Sequence, residues 1–218
     1  MDAIRVSALR EVLTGTGWLE STREFAWALR SAAARGPAGP GPAGGLLLVG
    51  TEGEEPWHMA AHLDDEAAWS GLPQLSPTLV RWRVPPGAPA HLAVDLRRLE
   101  RAGRGETVLV VAPGPAGAPL LERVQDARRT GATVLALESG DAELRGLAHQ
   151  ALTVPAAWEP PGGAAGDPAA LTPAPFEVVQ HLVSAAAGEE LPRRRRRGAL
   201  ERMALLAERL TAPPPLRW

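Results

Sequence analysis

The sequence predicts an α/β protein, a three-layer α/β/α sandwich around a five-stranded parallel sheet, flanked by N-terminal helices and a C-terminal helical arm. Three observations lead there. Five short, continuous apolar runs suit parallel strands covered on both faces. Helical stretches separate them, so each connection has the length of a crossover rather than a hairpin. Crossovers between parallel strands are right-handed, which puts helices on both faces and ligands at the carboxyl edge of the strands.

Asp2 to Leu13 places Ile4, Val6, Leu9, Val12 and Leu13 near one helical stripe. STRE, Ser21 to Glu24, reads as a capping box opening a second helix that turns Phe25, Ala28, Leu29 and Ala32 inward. GPAGPGPAGG, 36–45, has little helix propensity and nothing to bury, so it reads as a connector. The candidate strands are LLLVG (46–50), TLVRWRV (78–84), ETVLVVA (106–112), ATVLALES (132–139) and QALTV (150–154). Between them, helices are expected over 56–69, 91–103, 119–131 and 141–150, with Gly131 as a C-terminal stop. A second Pro/Gly loop covers 159–175 and a helix 175–190. The domain division is one unit over 1–190 (helices 2–35, linker 36–45, α/β core 46–190), then an Arg-rich linker, an amphipathic helix and a tail over 191–218.

With 218 residues, 45% of them hydrophobic and 22% charged, the chain can bury one sizeable core. LLLV and VLVVA are too short to span a bilayer, so no membrane association is expected. Without cysteine, disulfides and thiolate metal sites are excluded, and a cytoplasmic location is the default. All 23 basic residues are Arg, and Lys, Asn and Tyr are absent, a skew that a GC-rich genome such as an actinobacterial one imposes. The net charge of −2 gives no general pull toward nucleic acid. Arg193 to Arg197 reads as a solvated hinge, since no aromatic residues interleave it.

ETVLVVAPGPAGAPLLERVQDARRTGATVLALES resembles the third strand, phosphate loop, helix and fourth strand of the sugar isomerase (SIS) family of Rossmann-like phosphosugar-binding domains, including its Ala-x-x-x-Gly-Ala-x-Val run, here Ala127 to Val134. LLLVGTEGEEPWHMAAHLDDEAAW is similar to the family's first strand, loop and helix, and LRGLAHQALTVP to the segment that leads into the fifth strand. The resemblance covers roughly 46–190. It implies ligand-binding loops at Gly50, Thr51, Gly53, Ala112, Gly114, Gly117, Ala118, Glu138 and Ser139, and a phosphosugar as ligand. It also implies a homodimer, or a tetramer; no cofactor is expected.

Within that family the phosphoheptose isomerase branch carries His-x-x-x-Glu on the helix after the first strand and a His on the late helix. The matching residues are His62, Glu66 and His181, which the resemblance implies as the proton-transfer set of an aldose–ketose isomerase. Against this, the first loop lacks the Ser that follows the family's glycines, and the second lacks its Ser/Thr-rich run. Pro113, Pro115 and Pro119 remove three backbone donors from one, and Glu52, Glu54 and Glu55 charge the other negatively. The expectation is therefore a SIS protein without catalysis, or with little, that binds a sugar phosphate or related metabolite in a regulatory or scaffolding role. A phosphoheptose-type isomerase and a structural, partner-binding dimer are the alternatives. His58 and His62 have the i, i+4 spacing of a two-His metal pair, with Glu66 too far along the helix to join both; no metal is favoured. Seven Trp against two Phe are assigned to core or interface packing, Trp57, Trp69 and Trp82 among them.

Overall fold

A computed structural model describes residues 17–37, 45–154 and 175–189. The expected first helix, the loop over 159–174, the Arg run, the last amphipathic helix and Trp218 lie outside the described residues.

The described elements run α1 (Gly17–Ala33), β1 (Leu46–Gly50), α2 (Trp57–Ser70), β2 (Thr78–Val80), α3 (Arg97–Glu100), β3 (Thr107–Ala112), α4 (Ala118–Arg129), β4 (Thr133–Glu138), α5 (Ala142–Leu147), β5 (Gln150–Thr153) and α6 (Pro175–Gly188), with 3-10 turns at Pro73–Leu75 and Ala90–Leu92. The strands form one sheet in the order β2-β1-β3-β4-β5, every pair parallel. The continuous apolar runs follow from burial on both faces. Leu46 and Leu48 face a core shared with Phe25, Leu29, Leu63 and Val183, whereas Leu47 and Val49 face one shared with Leu99, Leu120 and Val124. Thus α1, α2 and α6 cover one face and α3, α4 and α5 the other. Helix α6 lies against both α1 and α2, and it is buried on most sides, from Phe176 to Gly188.

Some expectations are corrected. The capping box is not one: the chain is already helical at Gly17, so Ser21 to Glu24 sit inside α1 rather than at its first turn. The second strand stops at Val80 rather than 84. It is an edge strand, and the backbone N–H of Arg81 leaves the ladder to donate to the Val94 carbonyl, 2.8 Å. The helix expected over 91–103 is a 3-10 turn and one short helix, α3. Trp57 and Trp69 are not core residues: they are 41% and 77% exposed, and Trp27 is 51% exposed. No helix among the described residues is long and apolar enough to cross a membrane.

Candidate functional site

In an open parallel sheet, a crevice forms where neighbouring strands send their connections to opposite faces. With the order β2-β1-β3-β4-β5, that point lies between β1 and β3, whose paired ends are Gly50 and Val111. The connection after β1 runs through Thr51 and Glu54 to α2; the one after β3 runs through Gly114 and Gly117 to α4. The two loops singled out in the sequence therefore flank one crevice.

Each loop is tied to the chain's own side chains. After β1, Glu54 donates its N–H to the Thr51 carbonyl, 3.2 Å, closing a tight turn. The Glu55 carboxylate receives Arg81 Nε at 3.0 and 3.2 Å, and Trp57 Nε1 at 2.9 Å. The Arg81 guanidinium lies 4.8 Å from the Trp57 ring centre, a cation–π contact. Trp82 Nε1 donates to the Gly50 carbonyl, 2.9 Å. Glu52 pairs with Arg83 in an exposed bridge that contributes little.

After β3, Ala112 is buried and Gly114 has open space about its Cα. Gly117, at φ 77°, takes the left-handed turn that lets α4 begin at Ala118. The N–H of Ala116 donates to Asp141 Oδ2, 2.9 Å. The other oxygen of Asp141 caps α5 by accepting from the Leu144 N–H, 2.9 Å. One carboxylate therefore joins two loops. Asp141→Ala is expected to cost about 1–2 kcal/mol, the range of a lost cap, read as a lower urea midpoint; Asp141→Asn should retain most of it.

Glu138 and Ser139 close the next strand. Ser139 Oγ donates to the Val154 carbonyl, 2.7 Å. Glu138 has no exposed surface and accepts from Arg145 Nε at 3.0 Å, the Asp141 N–H at 2.6 Å and the Thr153 hydroxyl. Burial alone would raise its carboxyl. The hydrogen bonds from Arg145, Thr153 and Asp141, with the Arg145 charge, outweigh that and hold it below the ordinary value.

The helix candidates meet on a different surface. His62, on α2, lies with its ring centre 4.1 Å from that of His181 on α6. His58, one turn earlier, stacks on His62 at 5.3 Å and meets His181 edge-on at 5.0 Å. One nitrogen from each of the three falls within 4.8 Å of the others. The Nε2 atoms of His62 and His181 are buried with no hydrogen-bond partner among the described residues. Burial, then the neighbouring rings, pushes His181 down to about 4 and lowers His62 as well. Glu66 is turned elsewhere: its carboxylate fills the space that a side chain at Gly188 would need. Burial, then Glu189 and Asp65, raises its carboxyl. His181 thus packs on His62 and His58, whereas Glu66 packs on the end of α6.

Sequence reasoning did not single out Arg81 or Asp141. Each had a signal: an Arg interrupting an apolar strand run, and an Asp opening DAELRGL just after another strand.

No family model and no curated protein matches the chain. Among solved structures, it is similar to the sugar isomerase domain of an RpiR transcription factor from Sphaerobacter thermophilus. That match is 14% identical, covers 95% of this chain and 98% of that one, and has a TM-score of 0.48. It is also similar to the Vibrio vulnificus NanR protein complexed with ManNAc-6P, at 14% identity over 97% of this chain and 71% of that one, with a TM-score of 0.46. At these values neither a role nor a residue passes from either protein to this chain.

Proposed function

We propose that the chain is a SIS-type protein that binds a sugar phosphate or a related metabolite at the β1–β3 crevice without turning it over, in a regulatory or scaffolding role. One observation carries the reading: the crevice keeps its frame, but its donors hold carboxylates of the chain itself, Glu55 on Arg81 and Asp141 on the Ala116 N–H. A ligand phosphate would have to take the place of Glu55 at Arg81, with Trp57 beside it as an apolar wall for a sugar ring. Such an exchange trades one charge-assisted contact for another, so affinity is expected to be modest and salt-sensitive.

A thermal-shift series on the full chain with hexose, heptose and amino-sugar phosphates checks this. Ligand at a hundred times its dissociation constant stabilises by about 2.7 kcal/mol. We expect a shift that Arg81→Ala removes and no sugar interconversion. No shift with any of the phosphates would overturn the reading and favour a structural, partner-binding protein.

A second reading, aldose–ketose isomerisation, is favoured by the raised Glu66 carboxyl and the neutral His181 imidazole on facing helices, since perturbed proton affinities suit acid–base work. It is weakened by the packing of Glu66 on Gly188 and of His181 on two other rings. Turnover that Glu66→Gln abolishes would establish it. Self-association belongs to the same proposal: a homodimer, or a tetramer, would cover the exposed Trp27 and Trp69.

A further inference from the structure

Helices α2 and α6 end close together, and the sequence continues from the end of α6 into a run of arginines, Arg193 to Arg197. We propose that this run folds back onto the last turn of α2, one arginine over the Trp69 ring and others on Asp65 and Glu66. The chain's own arm thus covers this face.

Placement is the first support. The two helices run side by side in the same direction: His181 meets His58 and His62, and further along both helices Gly188 meets Glu66. Trp69 follows His62 at heptad spacing, so it lies on the same stripe of α2. Helix α6 stops level with Glu66, and Trp69 stands just past that end, 77% exposed. The stripe that α6 covers earlier in α2 is therefore left open at Trp69 among the described residues. From Glu189 to Arg193 the chain spans up to about 13–14 Å. Trp69 lies only about 4.5 Å along the axis from Glu66, so the run has the reach to turn back on it.

Charge is the second support. Asp65 and Glu66 belong to this part of α2, and Glu189 follows at the end of α6. Burial, and then the negative charges of Glu189 and Asp65, raise the Glu66 carboxyl; a cation beside it relieves that repulsion. Both helices also present the partial negative charge of their carbonyl ends here, and neither has a basic residue in its last turn. One arginine already serves the end of α6: Arg30 Nη1 donates to the Ala187 and Gly188 carbonyls, 2.8 and 3.3 Å. The ring is the third support. An indole face is the best aromatic partner for a guanidinium, and this protein uses the pairing once already, Arg81 over Trp57.

A single exposed ion pair contributes little, whereas adjacent arginines on two carboxylates, a ring and a helix end form a network. Nucleic acid is the weaker occupant, because the net charge is −2 and no aromatic residues interleave the run. The contact is independent of the β1–β3 crevice. A second copy that used Trp69 would first have to displace the arm.

The chain has no cysteine, so a pair introduced by substitution reports proximity without background. In the full-length chain, Ala68→Cys with Arg195→Cys tests the exposed end of α2. Ala34→Cys with Arg195→Cys is the control, at the exposed end of α1, the other helix that α6 lies against. We expect the disulfide between 68 and 195 to form within one chain at least about tenfold faster than the control, which shares its millimolar-range tethering. That advantage should vanish in about 1 M salt, where the screening length is about 3 Å. Trp69→Ala and Asp65→Asn, both at exposed positions, should each slow the reaction toward the control, with circular dichroism verifying the fold. Equal rates for the two pairs, a disulfide that joins two chains, or a fast disulfide indifferent to both substitutions would each overturn the proposal. Tight binding of a DNA duplex by the unaltered chain would assign the run to nucleic acid and overturn it too.

Discussion

Replacing Glu138 by alanine is expected to lower stability by about 3 kcal/mol, the low end for breaking a buried ion pair from one side. The low end applies because the Arg145 side chain remains 46% exposed and water can take it back. The loss is large for a single carboxylate because Glu138 is a junction. It sits at the end of β4, and it holds the Thr153 hydroxyl of β5, the N–H of Asp141 before α5, and Arg145 within α5. Removing it leaves donors from three segments without their acceptor. At about 2–4 °C per kcal/mol for a chain of this size, the melting temperature should fall by about 6–12 °C. The pH dependence has a definite sign. The folded carboxyl lies below its ordinary value of 4.5, so the unfolded chain binds the proton more readily. This stabilisation is complete above that value and is lost as pH falls through the folded value. Glu138→Gln should therefore flatten the acid limb of the stability curve. An unaltered acid limb would mean that other carboxyls control it.

Gly50→Ala is the second large effect. A Cβ at Gly50 would fall inside the Glu54 carbonyl oxygen and 2.7 Å from Pro56 Cδ, both fixed by the tight turn after β1. Neither obstacle is the far end of a flexible side chain, so the backbone must move. Overpacking of this kind costs about 1–3 kcal/mol, and here the upper value is expected. The displacement should also disturb the Trp82 bond to the Gly50 carbonyl and the Glu55–Arg81 pair. Gly53→Ala, in the same loop, is the control: nothing lies within 4 Å of its added carbon, so it should stay within about 0.5 kcal/mol of the unaltered chain. Equilibrium urea unfolding of the two variants separates a loop fixed by close backbone approach from one that is merely rich in glycine.

The strands were legible because burial on both sides writes a long apolar run: LLLVG is β1 to the residue, and β3 and β4 are each shorter than their runs by one or two residues at the ends. The segment over 78–103 was misread where it leaves the sheet. Apolar alternation in TLVRWRV continues past the last ladder bond, and propensity cannot register that an edge strand has only one neighbour. The loops were read correctly as poor in hydroxyls, but not the carboxylates that occupy their donors. Asp141 follows Ala116 by 25 residues, and only the parallel alignment of β3 with β4 brings them together.

The sequence by itself determined the layer architecture, because apolar periodicity and crossover length are local properties that burial enforces element by element. It also determined the histidine pair on α2, since i, i+4 spacing is a property of one helix. The tertiary structure alone decided that His181 packs on that pair whereas Glu66 packs on the end of α6. That outcome depends on the depth at which α6 lies along α2, which the van der Waals packing of its Phe176 and Val183 into the shared core and the fit of Glu66 at Gly188 set; no spacing along the chain encodes it.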